Sequence, residues 1–232
     1  MNRKKFIKEL KGFEGKDVFN PYSDICEIHD RYNASKIRTA NLSGIIDAAI
    51  TKGVDSLWIG RDLGHRGGRR TGLALTDEVH LTDAGRKWGV VLNQATKGDP
   101  YSERTAVNIW EHINVIEQNI FMWNVFPYHS HEHGNPLTNR SHTAKERNIG
   151  ISLLEKLEII LKPKRIVAIG NDAYKASLNL FPDKEIHKIR HPSYGGEKDF
   201  SKQLISLYGI NRNLLEHRKN SQKSLDLYLR TK

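Results

Sequence analysis

Four short apolar runs, separated by segments of helical period, constrain this chain more than any other feature. Residues 54–60, 119–125, 165–169 and 185–190 read as strands. Residues 35–49 carry Ile37, Leu42, Ile45, Ile46 and Ala49 at helical spacing, with Gly53 as a C-terminal stop. Ser102 is placed to cap a helix running to residue 115. Thr143 and Glu146 form a capping box ahead of Leu153, Leu154 and Leu157, and Pro163 ends that helix. Asn171 is expected to cap the next helix, and residues 200–208 and 211–229 to supply the last two. Strands alternating with helices imply a mainly parallel sheet covered on both faces. The expected fold is α/β, a three-layer α/β/α sandwich around a four-stranded sheet, in one domain. Residues 1–33 would be a basic lead-in in which Phe6, Leu10 and Phe13 form a short helix face. Residues 76–101 are too long for a bare loop and should hide short elements, residues 88–92 among them.

In a parallel sheet the carboxyl ends of the strands share one edge, where ligands bind. Three polar loops leave strand ends here. The first, from Gly60 to Leu75, sets Asp62, His65, Arg66, Arg69 and Arg70 among glycines. The second follows Asn124, and the third is His191-Pro192-Ser193-Tyr194-Gly195-Gly196. Asp62 is a candidate general base or electrostatic stabiliser, His191 a candidate donor to a leaving group, and Asn124 a candidate reader of a heterocycle edge. Each has a bland alternative: a loop Asp bonded to its own backbone, a His packed on Pro192, a turn Asn. Their convergence on one edge favours function.

The formal net charge is +10, which favours a polyanionic partner, nucleic acid ahead of an anionic membrane surface. Cys26 is the single cysteine, so no disulfide framework and no cysteine-only metal or iron–sulfur site can form. No apolar stretch is long enough for a signal peptide or membrane span, so a cytoplasmic, membrane-independent, monomeric protein is expected. His129, His131 and His133 invite a metal reading, with His65 or His191 to complete a site. No second ligand set supports it, and no metal or cofactor is expected.

The three loops resemble the motifs of the uracil-DNA glycosylase superfamily. Gly60-Arg61-Asp62-Leu63-Gly64-His65 resembles the Gly-Gln-Asp-Pro-Tyr-His loop of its best-known branch, and His191-Pro192-Ser193 matches its His-Pro-Ser loop. The stretch from Asn124 through Asn139-Arg140, Thr143 and Glu146 to Gly170 is closer to the iron–sulfur branches, whose cysteines are absent here. The resemblance implies a monofunctional enzyme that flips a pyrimidine out of DNA and hydrolyses its N-glycosidic bond. It implies Asp62 as the residue orienting water and stabilising the sugar cation, and His191 as the donor to the departing base. Asn124 would read the base, within a pocket lined by Gly60, Arg61, Leu63, Gly64, His65 and Leu75. Ser193 would hold a phosphate and Tyr194 would wedge the duplex. Arg66, Arg69, Arg70 and Arg140 are the expected backbone contacts.

Departures from the family pattern bear on substrate. Leu75 stands where the family has a stacking Phe, Arg61 where it has Gln, and Leu63-Gly64 where it has Pro-Tyr. Losing the Tyr removes bulk against a 5-substituted pyrimidine. A modified cytosine, such as the glucosylated 5-hydroxymethylcytosine of phage DNA, is slightly favoured over uracil. A glycosylase-like module that binds DNA without cutting it, and a metal-dependent hydrolase, are the other classes to separate.

Overall fold

The protein is described from a computed structural model, over residues 2–216. Helix α1 (Arg3–Lys11) opens the chain, capped by the Asn2 side chain, and strand β1 (Val18–Phe19) follows. Helix α2 (Ala34–Lys52) stops at Gly53, whose φ of 79° only glycine adopts easily. Strand β2 (Ser56–Asp62), the short helix α3 (Gly68–Thr71) and helix α4 (Leu81–Trp88) come next, then α5 (Arg104–Ile113), β3 (Ile120–Phe126) and β4 (His129–Ser130). Helix α6 (Ala144–Leu161), β5 (Arg165–Ile169), α7 (Asn171–Leu180), β6 (Ile186–Ile189) and α8 (Glu197–Tyr208) complete the order.

The central sheet has the order β3-β2-β5-β6 and is parallel throughout, while β1 and β4 form a separate antiparallel pair. Alternation along the strands divides the core into two layers. Leu57, Ile59, Phe121, Trp123, Ile166 and Ala168 pack with Phe6, Leu42, Ile46, Leu154 and Ala173 on the side of α1, α2, α6 and α7. Trp58, Ile120, Val167 and Ile169 pack with Ile109, Trp110, Phe200 and Leu204 on the side of α5 and α8. The fold is therefore the expected three-layer sandwich.

Helix α6 approaches the sheet unusually closely. A Cβ at Gly150 would overlap the Val125 carbonyl oxygen and lie 2.9 Å from the Phe126 Cα. The helix begins with the full capping box of Thr143 and Glu146.

Several local expectations need correction. Glu103, not Ser102, stands at the cap position of α5, because its N–H is held by Asp77 Oδ2 at 2.6 Å. Gly170, with φ 90°, stands at the cap of α7, and Asn171 is the first helical residue. The element hidden in residues 76–101 is α4, which ends at Gly89; residues 90–92 carry no regular structure. Helix α8 begins at Glu197, ahead of the expected start at Phe200. The expected terminal helix at 211–229 lies, beyond residue 216, outside the described residues.

Candidate active site

A cleft of about 400 Å³ opens at the carboxyl edge of the sheet. The end of β2 and the segment running into α3 contribute Arg61, Asp62, Leu63, Gly64 and Gly68; the β5–α7 junction contributes Gly170, Asn171 and Asp172; the loop after β6 contributes Arg190, His191, Ser193 and Tyr194. Leu75, Glu103, Thr105 and Asn139 close the remaining sides. Parallel pairing produces this convergence, since β2, β5 and β6 all end on that edge.

Asp62 ends β2 with a nearly buried side chain. Its Oδ2 accepts from Arg61 Nε at 2.7 Å, and its Oδ1 accepts from His142 Nδ1. Arg147 Nε donates to His142 Nε2 at 3.2 Å, which assigns the ring proton to Nδ1, facing Asp62. A carboxylate has about four acceptor positions, so capacity for a water remains after both bonds. His142 escapes a sequence reading: it is one buried polar residue in a polar stretch, and its partner lies 80 positions away.

His191 is held neutral. Burial, together with the nearby Arg61 and Arg190, lowers its pKa to about 4. The Ser193 N–H donates to its Nδ1 at 3.1 Å, so the proton sits on Nε2. The ring therefore offers an N–H to the cleft it lines. Ser193 Oγ lies 3.4 Å from Thr105 Oγ1. Tyr194 is 99% exposed with φ 54°, a conformation that bulky residues rarely adopt.

Asn124 pairs with Gly60 across β3 and β2, and its side chain fills the space over that glycine: a Cβ at Gly60 would lie 2.5 Å from Asn124 Oδ1 and 3.2 Å from a Leu75 methyl. Asn124 is buried, yet neither its Oδ1 nor its Nδ2 has a hydrogen-bond partner. It does not line the cleft opening; it stands behind Leu75, itself at φ 55°. A buried amide with both groups unpaired is costly and calls for a ligand or a water.

Other expected site residues are placed differently. Gly60 lines no part of the opening, and His65 turns toward His129, with its N–H donating to Asn139 Oδ1 at 2.9 Å. The space that Gly64 was expected to leave open is partly filled by Glu103, whose Oε1 is 3.4 Å from where a Cβ would stand.

Three of the four expected DNA-contacting arginines face inward. Arg70 is buried against Glu78, with Nε donating to Oε2 at 2.8 Å and Nη2 to Thr96 Oγ1 at 3.2 Å. Arg69 is buried with its guanidinium 3.9 Å from the centre of the Phe19 ring. Arg140 makes a bidentate pair with Glu146 at 2.8 and 2.7 Å and donates to the His131 and Asp17 carbonyls. Arg66 alone of these four is exposed. Arg190 was missed; it is exposed and lines both the cleft and an adjoining groove with Lys188 and Lys202.

The histidine triplet separates. His129 is buried, with Nε2 on the Thr138 carbonyl oxygen at 2.8 Å and its pKa lowered to about 3 by burial and Arg69. His131 bonds the Glu132 carbonyl, and His133 bonds Asp17. Among the described residues no group of three metal-ligating side chains comes together. No helix among them is long and apolar enough to cross a membrane.

Comparisons with known proteins agree with this architecture. A family model for the uracil DNA glycosylase superfamily matches residues 53–208, a span containing all the cleft residues named above. Among solved structures, the crystal structure of wild-type SMUG2 from Pedobacter heparinus superposes with a TM-score of 0.56 at 14% identity, covering 96% of this chain and 97% of that one. At that identity the likeness speaks to the fold. A search of curated proteins gives no match. The family match over more than half of the chain establishes that the chain belongs to the uracil-DNA glycosylase superfamily and is a DNA glycosylase.

Proposed function

We propose that the enzyme flips a pyrimidine into this cleft and hydrolyses its N-glycosidic bond, leaving an abasic site, with a modified cytosine as the preferred base. The observation that carries the pyrimidine reading is the unpaired amide of Asn124, buried behind Leu75. An amide offers one donor face and one acceptor face, the complement of a pyrimidine's edge. The base would make the two bonds that the folded protein leaves unmade.

As the glycosidic bond breaks, the base gains negative charge and the sugar positive charge. Asp62 would orient water and stabilise the sugar cation, its plane held by the bonds from His142 and Arg61. The neutral His191 presents Nε2–H to the departing base; a preorganised donor of this kind contributes about a hundred- to thousandfold in rate. With its pKa lowered to about 4, the ring stays neutral across the physiological range and offers Nε2–H without first taking up a proton. Tyr194, exposed at the loop tip, would occupy the vacated stack. Arg190, Lys188 and Lys202 would grip the backbone along the adjoining groove, and the exposed Arg66 would add a contact from the segment after β2.

The preference for a modified cytosine rests on the absence of an aromatic ring at Gly64 and Leu75, where the carboxyl group of Glu103 fills part of the space, in a cleft of about 400 Å³. An enzyme with that preference would act against phage genomes built on such bases, filling them with abasic sites.

The test is incubation with duplexes carrying uracil, 5-hydroxymethylcytosine or its glucosylated form, with released bases identified by mass spectrometry. Expected is release of the modified base ahead of uracil, and a loss of about a hundred- to thousandfold in His191→Ala and Asp62→Ala with DNA binding kept. In the wild type, the His191-dependent part of the rate should hold down to about pH 4. Wild-type turnover in both variants and in the double variant would overturn the mechanism.

A further inference from the structure

Two carboxyl groups of the cleft are left idle by the scheme above, the exposed Asp172 and the half-buried Glu103. Glu103 stands at the cap position of α5, but its side chain makes no capping bond to that helix. Asp77 Oδ2 holds its backbone N–H instead, and the side chain turns into the cleft. There it lies over the glycines of the loop after β2. A Cβ at Gly67 would overlap Oε2, and one at Gly64 would stand 3.4 Å from Oε1. A residue larger than glycine at position 67 would thus expel the carboxyl group.

The group is held but sparsely satisfied. Thr105 and Arg66 stand near enough to favour its charged form. Burial and the neighbouring Asp77 raise its pKa above the ordinary carboxylate value. A carboxylate accepts about four hydrogen bonds, so a group that lines the cleft with few partners has capacity for a ligand.

We propose that Glu103 is the specificity-determining residue of the site: its carboxylate accepts hydrogen bonds from an amino or hydroxyl group on the flipped base, and it disfavours bases that present only oxygen or a methyl group there. The inference rests on the glycosylase reading of the cleft. Cytosine carries an N4 amino donor where uracil carries the O4 acceptor, and acidic side chains pair with that amino group in DNA recognition. A 5-hydroxymethyl group adds one hydroxyl donor, and a sugar on it adds several. Uracil would set its O4 against the carboxylate, and thymine would bury the carboxylate against a methyl group. Sites built around a buried hydrogen-bonding group reject ligands that leave that group unpaired. The class of substrate is therefore a pyrimidine with N–H or O–H donors on its 4,5-side.

Two variants test the assignment by different routes. Glu103→Gln keeps the shape but removes the charge and adds a donor for O4. Gly67→Ala displaces the carboxyl group without altering it. For each, kcat/KM is measured on duplexes carrying uracil or 5-hydroxymethylcytosine. Glu103→Gln should raise the ratio of uracil to 5-hydroxymethylcytosine release by about tenfold or more, a single hydrogen bond to a charged group being involved. Gly67→Ala should move the ratio the same way. Where a variant turns over too slowly, the ratio is read from Kd values for the corresponding 2′-fluoro duplexes, which resist cleavage. An unchanged ratio in Glu103→Gln overturns the proposal, whichever base the wild type prefers. A wild type that favours uracil, with a ratio that still rises tenfold in Glu103→Gln, supports Glu103 and overturns the modified-cytosine preference alone.

Discussion

The loop after β2 and the loop after β6 face the same cleft, yet they spend their side chains in opposite ways. The first is dense in charge, with Arg61, Asp62, Arg66, Arg69 and Arg70. Most of that charge is consumed inside the protein: Arg70 on Glu78, Arg69 on Phe19, and Arg61 on Asp62. The second has little charge, and it puts Tyr194 fully into solvent on a backbone that bulky residues avoid. The difference teaches that the charge of a loop does not measure its availability to a polyanion. A guanidinium has five donors and a flat face, and an acidic or aromatic partner elsewhere in the fold captures it readily.

The largest effect is expected from Arg70→Ala. It leaves Glu78 buried with its charge uncompensated, for which about 3–5 kcal/mol of stability is the usual loss. Denaturant unfolding should show that loss. A variant of unchanged stability with weakened DNA binding would place Arg70 on the DNA after all. Tyr194→Ala should act the other way round. It removes an exposed ring, so the folded state should lose little, while binding and flipping lose the ring's contacts with the bases, worth about 1–3 kcal/mol. A stability loss larger than the binding loss would mean that the loop tip is structural. The smallest effect is expected from Arg66→Ala beside Arg69→Ala. Arg66→Ala should lower the slope of log affinity against log salt by about 1, whereas Arg69→Ala should leave it unchanged. Equal slopes in the two variants would erase the distinction between the exposed and the buried arginine.

The sequence made much of the framework legible. Strand β5 falls on the expected residues, and the Thr143–Glu146 capping box is formed in full, because an unbroken apolar run and a local cap both encode structure within a few residues. Helix α4 was hidden because its buried face, Leu81, Ala84, Gly85 and Trp88, includes two residues too small to register as apolar periodicity. The cleft itself was legible where a residue lies at a strand end, as with Asp62 and His191. It was not legible where the partner comes from far along the chain. Glu103 reaches Gly67 from the start of α5, and His142 reaches Asp62 across 80 positions. No local pattern marks such pairs, because each residue's meaning depends on a surface that exists only after folding.

The close seat of α6 on the sheet has a consequence for how tolerant this enzyme is to change. His142 and Arg147, which fix the plane of Asp62, stand just before and just after the start of that helix, and Gly150 is what lets it touch the backbone of β3. One added methyl group at Gly150 would lift the helix like a shim under a beam and carry His142 away from the carboxylate. The most chemically inert residue in the helix therefore sets the gauge of the pair between His142 and Asp62, and random mutagenesis should find inactive variants at Gly150 if that pair is used in the reaction.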